Sequence, residues 1–142
     1  MKLKKIISKL SLEEKVSLLS GFDNWHTPDI KKYGIPKIKM SDGPNGVRGD
    51  SSTPQTSACF PSPILLGATW NEKLIKKIGS ATGEEALYKD VDVLLAPTIN
   101  LHRHPLGGRH FECYSEDPVL TSKIACSYVL SLIHISEPTR PY

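Results

Sequence analysis

The run Val91-Asp-Val-Leu-Leu-Ala96 constrains the fold of this chain more than any other segment. It reads as a strand, and its near-continuous apolar character is that of a strand covered on both faces, as in a parallel sheet. Parallel strands cannot be joined by tight hairpins and need crossover connections, usually helical. Strand and helix signals must therefore alternate along the chain, and they do. Ile38 to Met40 is a short apolar run compatible with a strand, stopped by the turn sequence Ser41-Asp-Gly-Pro-Asn-Gly46. Ile64 to Thr69 is a further apolar strand candidate. Asn71 then caps a helix in which Leu74, Ile75, Ile78, Ala81 and Leu87 form a buried stripe, weakened by Gly79 and Gly83 and ending near Lys89.

The flanks fit the same scheme. Ser11-Leu-Glu-Glu14 is a capping box, so a helix starts there with Leu12, Val16 and Leu19 on one face and Gly21 suited to end it. From Phe22 to Pro36 the chain is irregular, and Trp25 and His26 read as a core plug ahead of a ligand contact. From Gly49 to Pro63 it is rich in Ser, Thr and Pro, a long surface excursion. Asp117-Pro118 opens a last helix whose apolar face is Leu120, Ile124, Tyr128 and Val129. The expected fold is α/β, with three parallel strands and their helices.

Composition removes several function classes. The net charge of +3 is small, and Lys2, Lys4, Lys5 and Lys9, which account for it, read as one solvated helix face; no nucleic acid or membrane partner is expected. Three cysteines, Cys59, Cys113 and Cys126, are an odd number without metal-type spacing, which argues against a disulfide framework and for a reducing compartment. The start MKLKKIISKLSLEEK is a poor signal peptide, because Ser8 and Lys9 cut its apolar segment. No apolar run approaches the roughly 18 residues that span a bilayer. A cytoplasmic protein is expected.

The chemistry concentrates beyond the strand ends, where ligands bind in parallel α/β folds. Asp42, Trp70 and the loop from Pro97 to Pro118 all follow the carboxyl ends of the expected strands, so Asp42, Arg48, Arg109 and the acidic residues of the loop should converge. Asp42 suits either an Asx-turn or a functional carboxylate. With two arginines it suits a polyol, the aspartate accepting from adjacent hydroxyls while a guanidinium fork donates to others. The same arginines would also hold a phosphate or carboxylate, or tie loops to carbonyls. Glu112, Glu116 and Asp117 offer the paired carboxylates of glycoside chemistry, although Asp117 reads first as a helix cap. A rival set of metal ligands is His102, His104, His110, Glu112 and Cys113, which would make a zinc hydrolase but matches no helical ligand spacing.

Several motifs together resemble the family 3 glycoside hydrolases, the β-glucosidase and β-xylosidase group, from about Ser11 to Val129. They are Ser41-Asp-Gly-Pro-Asn-Gly-Val-Arg-Gly49, Gly83-Glu-Glu-Ala86, Leu95-Ala-Pro-Thr-Ile-Asn100, and His102-Arg-His-Pro-Leu-Gly-Gly-Arg-His-Phe-Glu112 running into Ser115-Glu-Asp-Pro118. The resemblance implies about the first three β/α units of a TIM-type (β/α)8 barrel, left unclosed, since a full barrel takes about 250 residues. It implies that Asp42 grips sugar hydroxyls away from the scissile bond and that Arg48 and Arg109 line the same glycone subsite. It makes Glu112, Glu116 and Asp117 no part of the catalytic pair: the family's nucleophile, in a Ser-Asp-Trp type motif, its acid/base and its Lys-His sugar-binding pair have no counterpart in this sequence. The expectation is thus an inactive piece of a retaining β-glycosidase taking a β-linked oligosaccharide or glucoside, with no cofactor. A small non-catalytic sugar- or anion-binding module is the alternative. Residues 1–130 are assigned to the barrel, and 131–142 are similar to a translated sequencing-adaptor read-through and are set aside as a tail.

Overall fold

The computed structural model of the protein describes residues 2–48 and 56–136. Helices α1 (Lys2–Ile7) and α2 (Leu12–Ser17) lead into a 3₁₀ turn at Lys31–Tyr33 and strand β1 (Met40–Asp42). Helices α3 (Pro63–Ala68) and α4 (Glu72–Tyr88) then carry the chain to β2 (Val93–Leu95), and after a long loop containing a 3₁₀ turn at His110–Glu112 helix α5 (Pro118–Ser136) follows. The two strands are parallel, with Met40 opposite Val93 and Asp42 opposite Leu95. The register is set below the pair, where the Lys39 N–H donates to an Asp92 carboxylate oxygen at 2.8 Å and the Lys39 carbonyl accepts from the Asp92 and Val93 N–H groups.

The local signals that satisfy free backbone groups act as expected. Ser11 Oγ accepts from the Glu14 N–H at 3.2 Å while Glu14 returns a carboxylate to the Ser11 N–H at 2.9 Å. Asn71 caps α4 through the Leu74 N–H, and Asp117 Oδ1 accepts from Val119 N–H at the start of α5. The end of α2 differs: 3₁₀-type bonds from Leu19 to Val16 and from Ser20 to Ser17 tighten the chain, so the helix stops at Ser17 and not at Gly21. Leu12, Val16 and Leu19 stay exposed.

Three strand expectations need correction. Ile64 to Thr69 is not a strand, because Ser62 is extended, Pro63 opens a helix with its φ already suited, and Pro63, Leu66 and Gly67 are buried at helical spacing. The sheet therefore has two strands among the described residues, and it is not closed. The first strand lies two residues later than Ile38 to Met40, so Asp42 is its last residue and not part of the turn. The third expected strand shrinks to β2, and Val93 and Leu95 are 41% and 49% exposed where burial on both faces was expected.

The core lies between α4 and α5, where Ile75, Leu120, Ile124 and Tyr128 pack with Leu66 and Tyr114. Each such side chain contributes roughly 1.5–3 kcal/mol by leaving water. On α5 the expected face is the buried one at Leu120, Ile124 and Tyr128, with Val129 half-buried. On α4 the stripe is displaced: Ile75, Gly79, Thr82, Gly83 and Ala86 are buried, whereas Leu74 and Leu87 are exposed. The glycines make the contact, since a Cβ on Gly79 would lie 2.7 Å from the Tyr128 carbonyl oxygen. Helix α5 continues through 131–136, where Ser131 Oγ donates to the carbonyls of Ser127 and Tyr128; the rest of the expected tail, 137–142, lies outside the described residues, as does 49–55 of the excursion.

Candidate functional site

Because β1 and β2 are parallel, the segments that leave their carboxyl ends emerge on one edge of the sheet. A cavity of about 560 Å³ lies there, lined among others by Asp42, Arg48, Arg109 and Glu112. Three sequence candidates separated by up to 67 positions, Asp42, Arg48 and Arg109, thus face one space. Trp70, Glu116 and Asp117 do not line it.

Asp42 reaches the cavity because the turn behind it is closed by backbone. The Arg48 N–H donates to the Asp42 carbonyl at 3.0 Å, and the Gly46 N–H donates to Gly43. Gly46 has φ 137°, and a Cβ there would come 2.1 Å from the Ala58 carbonyl oxygen, so the turn presses against the returning excursion as only glycine permits. The Asp42 carboxylate itself accepts no hydrogen bond among the described residues, so the Asx-turn reading is not realised and both oxygens are left to the cavity.

Arg109 is held from its own loop. It precedes the 3₁₀ turn His110–Glu112, which brings Glu112 back beneath it, so that Arg109 Nε donates to Glu112 Oε1 at 2.9 Å and Nη2 donates to Oε2. The paired guanidinium holds the Glu112 carboxyl below its ordinary range. Glu112 in turn raises Arg109, and the nearby Asp42 charge acts in the same direction. Arg109 therefore keeps its remaining N–H donors in solvent, at 80% side-chain exposure, beside a carboxylate that no other described group engages.

The histidine cluster has other occupations. His102 Nε2 lies 2.9 Å from the Cys113 carbonyl, its ring stacks on His110 at 5.3 Å, and His104 Nδ1 accepts from the Leu106 N–H. With Glu112 committed to Arg109, the proposed zinc ligands do not converge, and among the described residues no group of three metal-binding side chains gathers. Asp117 caps α5, as its position before Pro118 suggested.

Sequence reasoning missed Glu85 and Lys89. Lys89, 4% exposed, donates to the Val47 carbonyl at 2.8 Å, to Ser57 Oγ at 2.6 Å and to Glu85 Oε1 at 2.8 Å. Glu85 also accepts from the Ala58 N–H at 3.0 Å and the Val47 N–H at 3.4 Å. An i,i+4 Glu-Lys pair near a helix end normally reads as a surface pair. The available signal was phase: Lys89 continues the buried series Ile75, Gly79, Thr82 and Ala86.

Comparison with known proteins gives consistent matches. The family model for the glycosyl hydrolase family 3 N terminal domain matches residues 5–135. A beta-glucosidase of Rhizobium radiobacter is 56% identical over 126 residues, covering 87% of this chain and 15% of its own length. Beta-glucosidase B of Emericella nidulans is 52% identical over 128 residues, covering 89% of this chain and 15% of its own. Among solved structures, beta-glucosidase 3B from Thermotoga neapolitana in complex with glucose superposes with a TM-score of 0.81 at 38% identity, over 95% of this chain and 22% of that one. The Kluyveromyces marxianus beta-glucosidase in complex with glucose gives 0.83 at 41% identity, over 92% and 16%. The chain spans about 15% of the length of these curated relatives.

Proposed function

The chain belongs to glycosyl hydrolase family 3, whose N-terminal domain it matches, and from that premise we propose that its cavity is part of the glycone subsite of a retaining β-glucosidase built on a TIM-type barrel. Asp42 accepts from two adjacent hydroxyls of a terminal β-linked glucose. Arg48 and Arg109 donate to neighbouring hydroxyl oxygens, and Glu112 fixes the direction of the Arg109 fork. A cytoplasmic setting belongs to the same reading, in keeping with three cysteines that are all free thiols.

The observation that carries this reading is the pairing of opposites across one cavity: an Asp42 carboxylate with no partner among the described residues faces the same space as Arg109, which retains free donors. A site for phosphate or another carboxylate would be weakened by that Asp42 charge, whereas a neutral polyol uses donors and acceptors alike.

The chain is proposed to bind and not to hydrolyse. Retaining hydrolysis needs a nucleophilic carboxylate and a second carboxyl group that is protonated when the leaving group departs. Asp42 and Glu112 are the carboxyl groups that line the cavity among the described residues, and Glu112 is held ionised by Arg109. Titration of the 142-residue chain with D-glucose, followed by amide chemical shifts, should move resonances of the Asp42 and Arg109 segments. Asp42→Ala should abolish those shifts; shifts that survive the substitution would sink the assignment.

A further inference from the structure

We propose that Glu85 and Lys89, at the carboxyl end of α4, are positioning residues that hold Arg48 and the Ser57–Ala58 rim in place around the cavity. The proposal rests on the sugar-site reading above and extends it to residues that do not line the cavity.

The geometry separates this pair from an ordinary helix salt bridge. All three ammonium protons of Lys89 are used, one by Glu85, one by the Val47 carbonyl and one by Ser57 Oγ. Ser57 passes its own proton to the Val47 carbonyl at 2.6 Å. Both Glu85 oxygens are used by backbone, one for Ala58 and one for Val47. Two stretches about ten residues apart in sequence, Val47 and Ser57–Ala58, are thus tied to one helical turn. One stretch ends at Arg48 and the other runs along the cavity edge through Ser57 and Ala58.

Burial tells what the pair is for. The side chains of Lys89 and Glu85 are 3% and 14% exposed, and charges withdrawn from water to this degree give little net stability over apolar groups of the same shape. Two Met residues of similar length would pack into α4 without the desolvation cost. What they would not supply is four directional bonds to loop backbone and Ser57, and those bonds fix Arg48 relative to Asp42. Lys89 also accepts at its carbonyl from Lys39 Nζ at 2.7 Å, which links the same turn to the residue before β1.

The test uses the 142-residue chain, its double variant Glu85→Met/Lys89→Met and the conservative Glu85→Gln, with D-glucose as the probe. The double variant should keep amide protection at Ile75 and Tyr128 but lose roughly tenfold or more at Val47 and Ala58, while the dissociation constant for glucose rises roughly tenfold. Glu85→Gln keeps an oxygen for the Ala58 N–H and should fall between the two; because it retains the fold-neutral shape, it decides the matter if the double variant does not fold. Unchanged protection at Val47 and Ala58 would overturn the proposal. So would an unchanged glucose affinity once that protection is lost. If glucose leaves even the parent spectrum unmoved while the rim still loses protection, the sugar reading fails and the holding role of the pair stands.

Discussion

At the scale of single residues, the site depends on the ionisation of Glu112. Its carboxyl titrates below the ordinary 4.5 because Arg109 donates to both oxygens, and Arg109 stays charged throughout. A depressed carboxyl binds a proton less readily folded than unfolded, so the pair's contribution is complete above pH 4.5 and is lost as pH falls below that through the folded value. The Glu112 side-chain carbon shift should therefore titrate below 4.5, and the Arg109 Nε resonance should sharpen or shift only with it. Titration at or above the ordinary value would mean the pair is not formed. The convergence of Asp42, Arg48 and Arg109 on one cavity was legible in the sequence, because turn chemistry and parallel strands bring strand ends together whatever lies between. The role of Glu112 as the partner of Arg109 was half legible: three-residue spacing permits the contact, but only the 3₁₀ turn creates it. Lys89 was legible only through its helical phase with the buried series on α4, because a helix-end lysine is ordinarily solvated and its neighbours in sequence do not announce the loop that covers it.

The elements divide in the same way. Caps at Ser11, Asn71 and Asp117 were readable because they satisfy backbone groups within three residues. The segment from Ile64 to Thr69 turns out helical because a short, largely apolar run fits a strand or a buried helix equally, and Pro63 decides the matter by presetting the first turn. The α4 stripe departs from the large apolar residues that the sequence favours, because close approach of α5 selects small ones for the contact face. Gly79→Ala weighs these effects directly. Helix propensity favours alanine by about 1 kcal/mol. The new Cβ would meet the Tyr128 carbonyl at 2.7 Å and Ser131 Oγ at 2.3 Å, and backbone cannot move aside as a side-chain tip can. Overpacking of this kind costs about 1–3 kcal/mol. The clash should win, so urea unfolding of Gly79→Ala should show a lower midpoint; a raised midpoint would mean the helices separate freely. Ile75→Ala, fully buried between the same helices, should cost about 2–5 kcal/mol in that measurement.

For the whole molecule, the relevant contrast is between a satisfied interior and an unsatisfied outside. Among the described residues no buried side-chain polar atom lacks a partner, yet Leu19, Trp70 and Leu106 are 89%, 73% and 87% exposed and β2 presents Val93 and Leu95 outward. Exposed apolar side chains of this size are surface that a partner element would cover, and the proposed barrel would supply one beside β2. The same consideration sets the limit on chemistry. A carboxyl that must donate a proton near neutral pH needs its pKa raised by burial or by a like charge, and the Glu112 environment does the opposite. Nor can Glu112 turn nucleophile without giving up Arg109, the donor that the bound sugar would need. With Asp42 assigned to hydroxyls away from the scissile bond, an aryl β-glucoside should bind the 142-residue chain and stay intact. Release of the aryl group above the uncatalysed rate, abolished by Asp42→Ala, would show that the cavity holds a complete reaction centre; binding without release would show that a sugar subsite can be assembled from two parallel strands and their loops before any catalytic group is present.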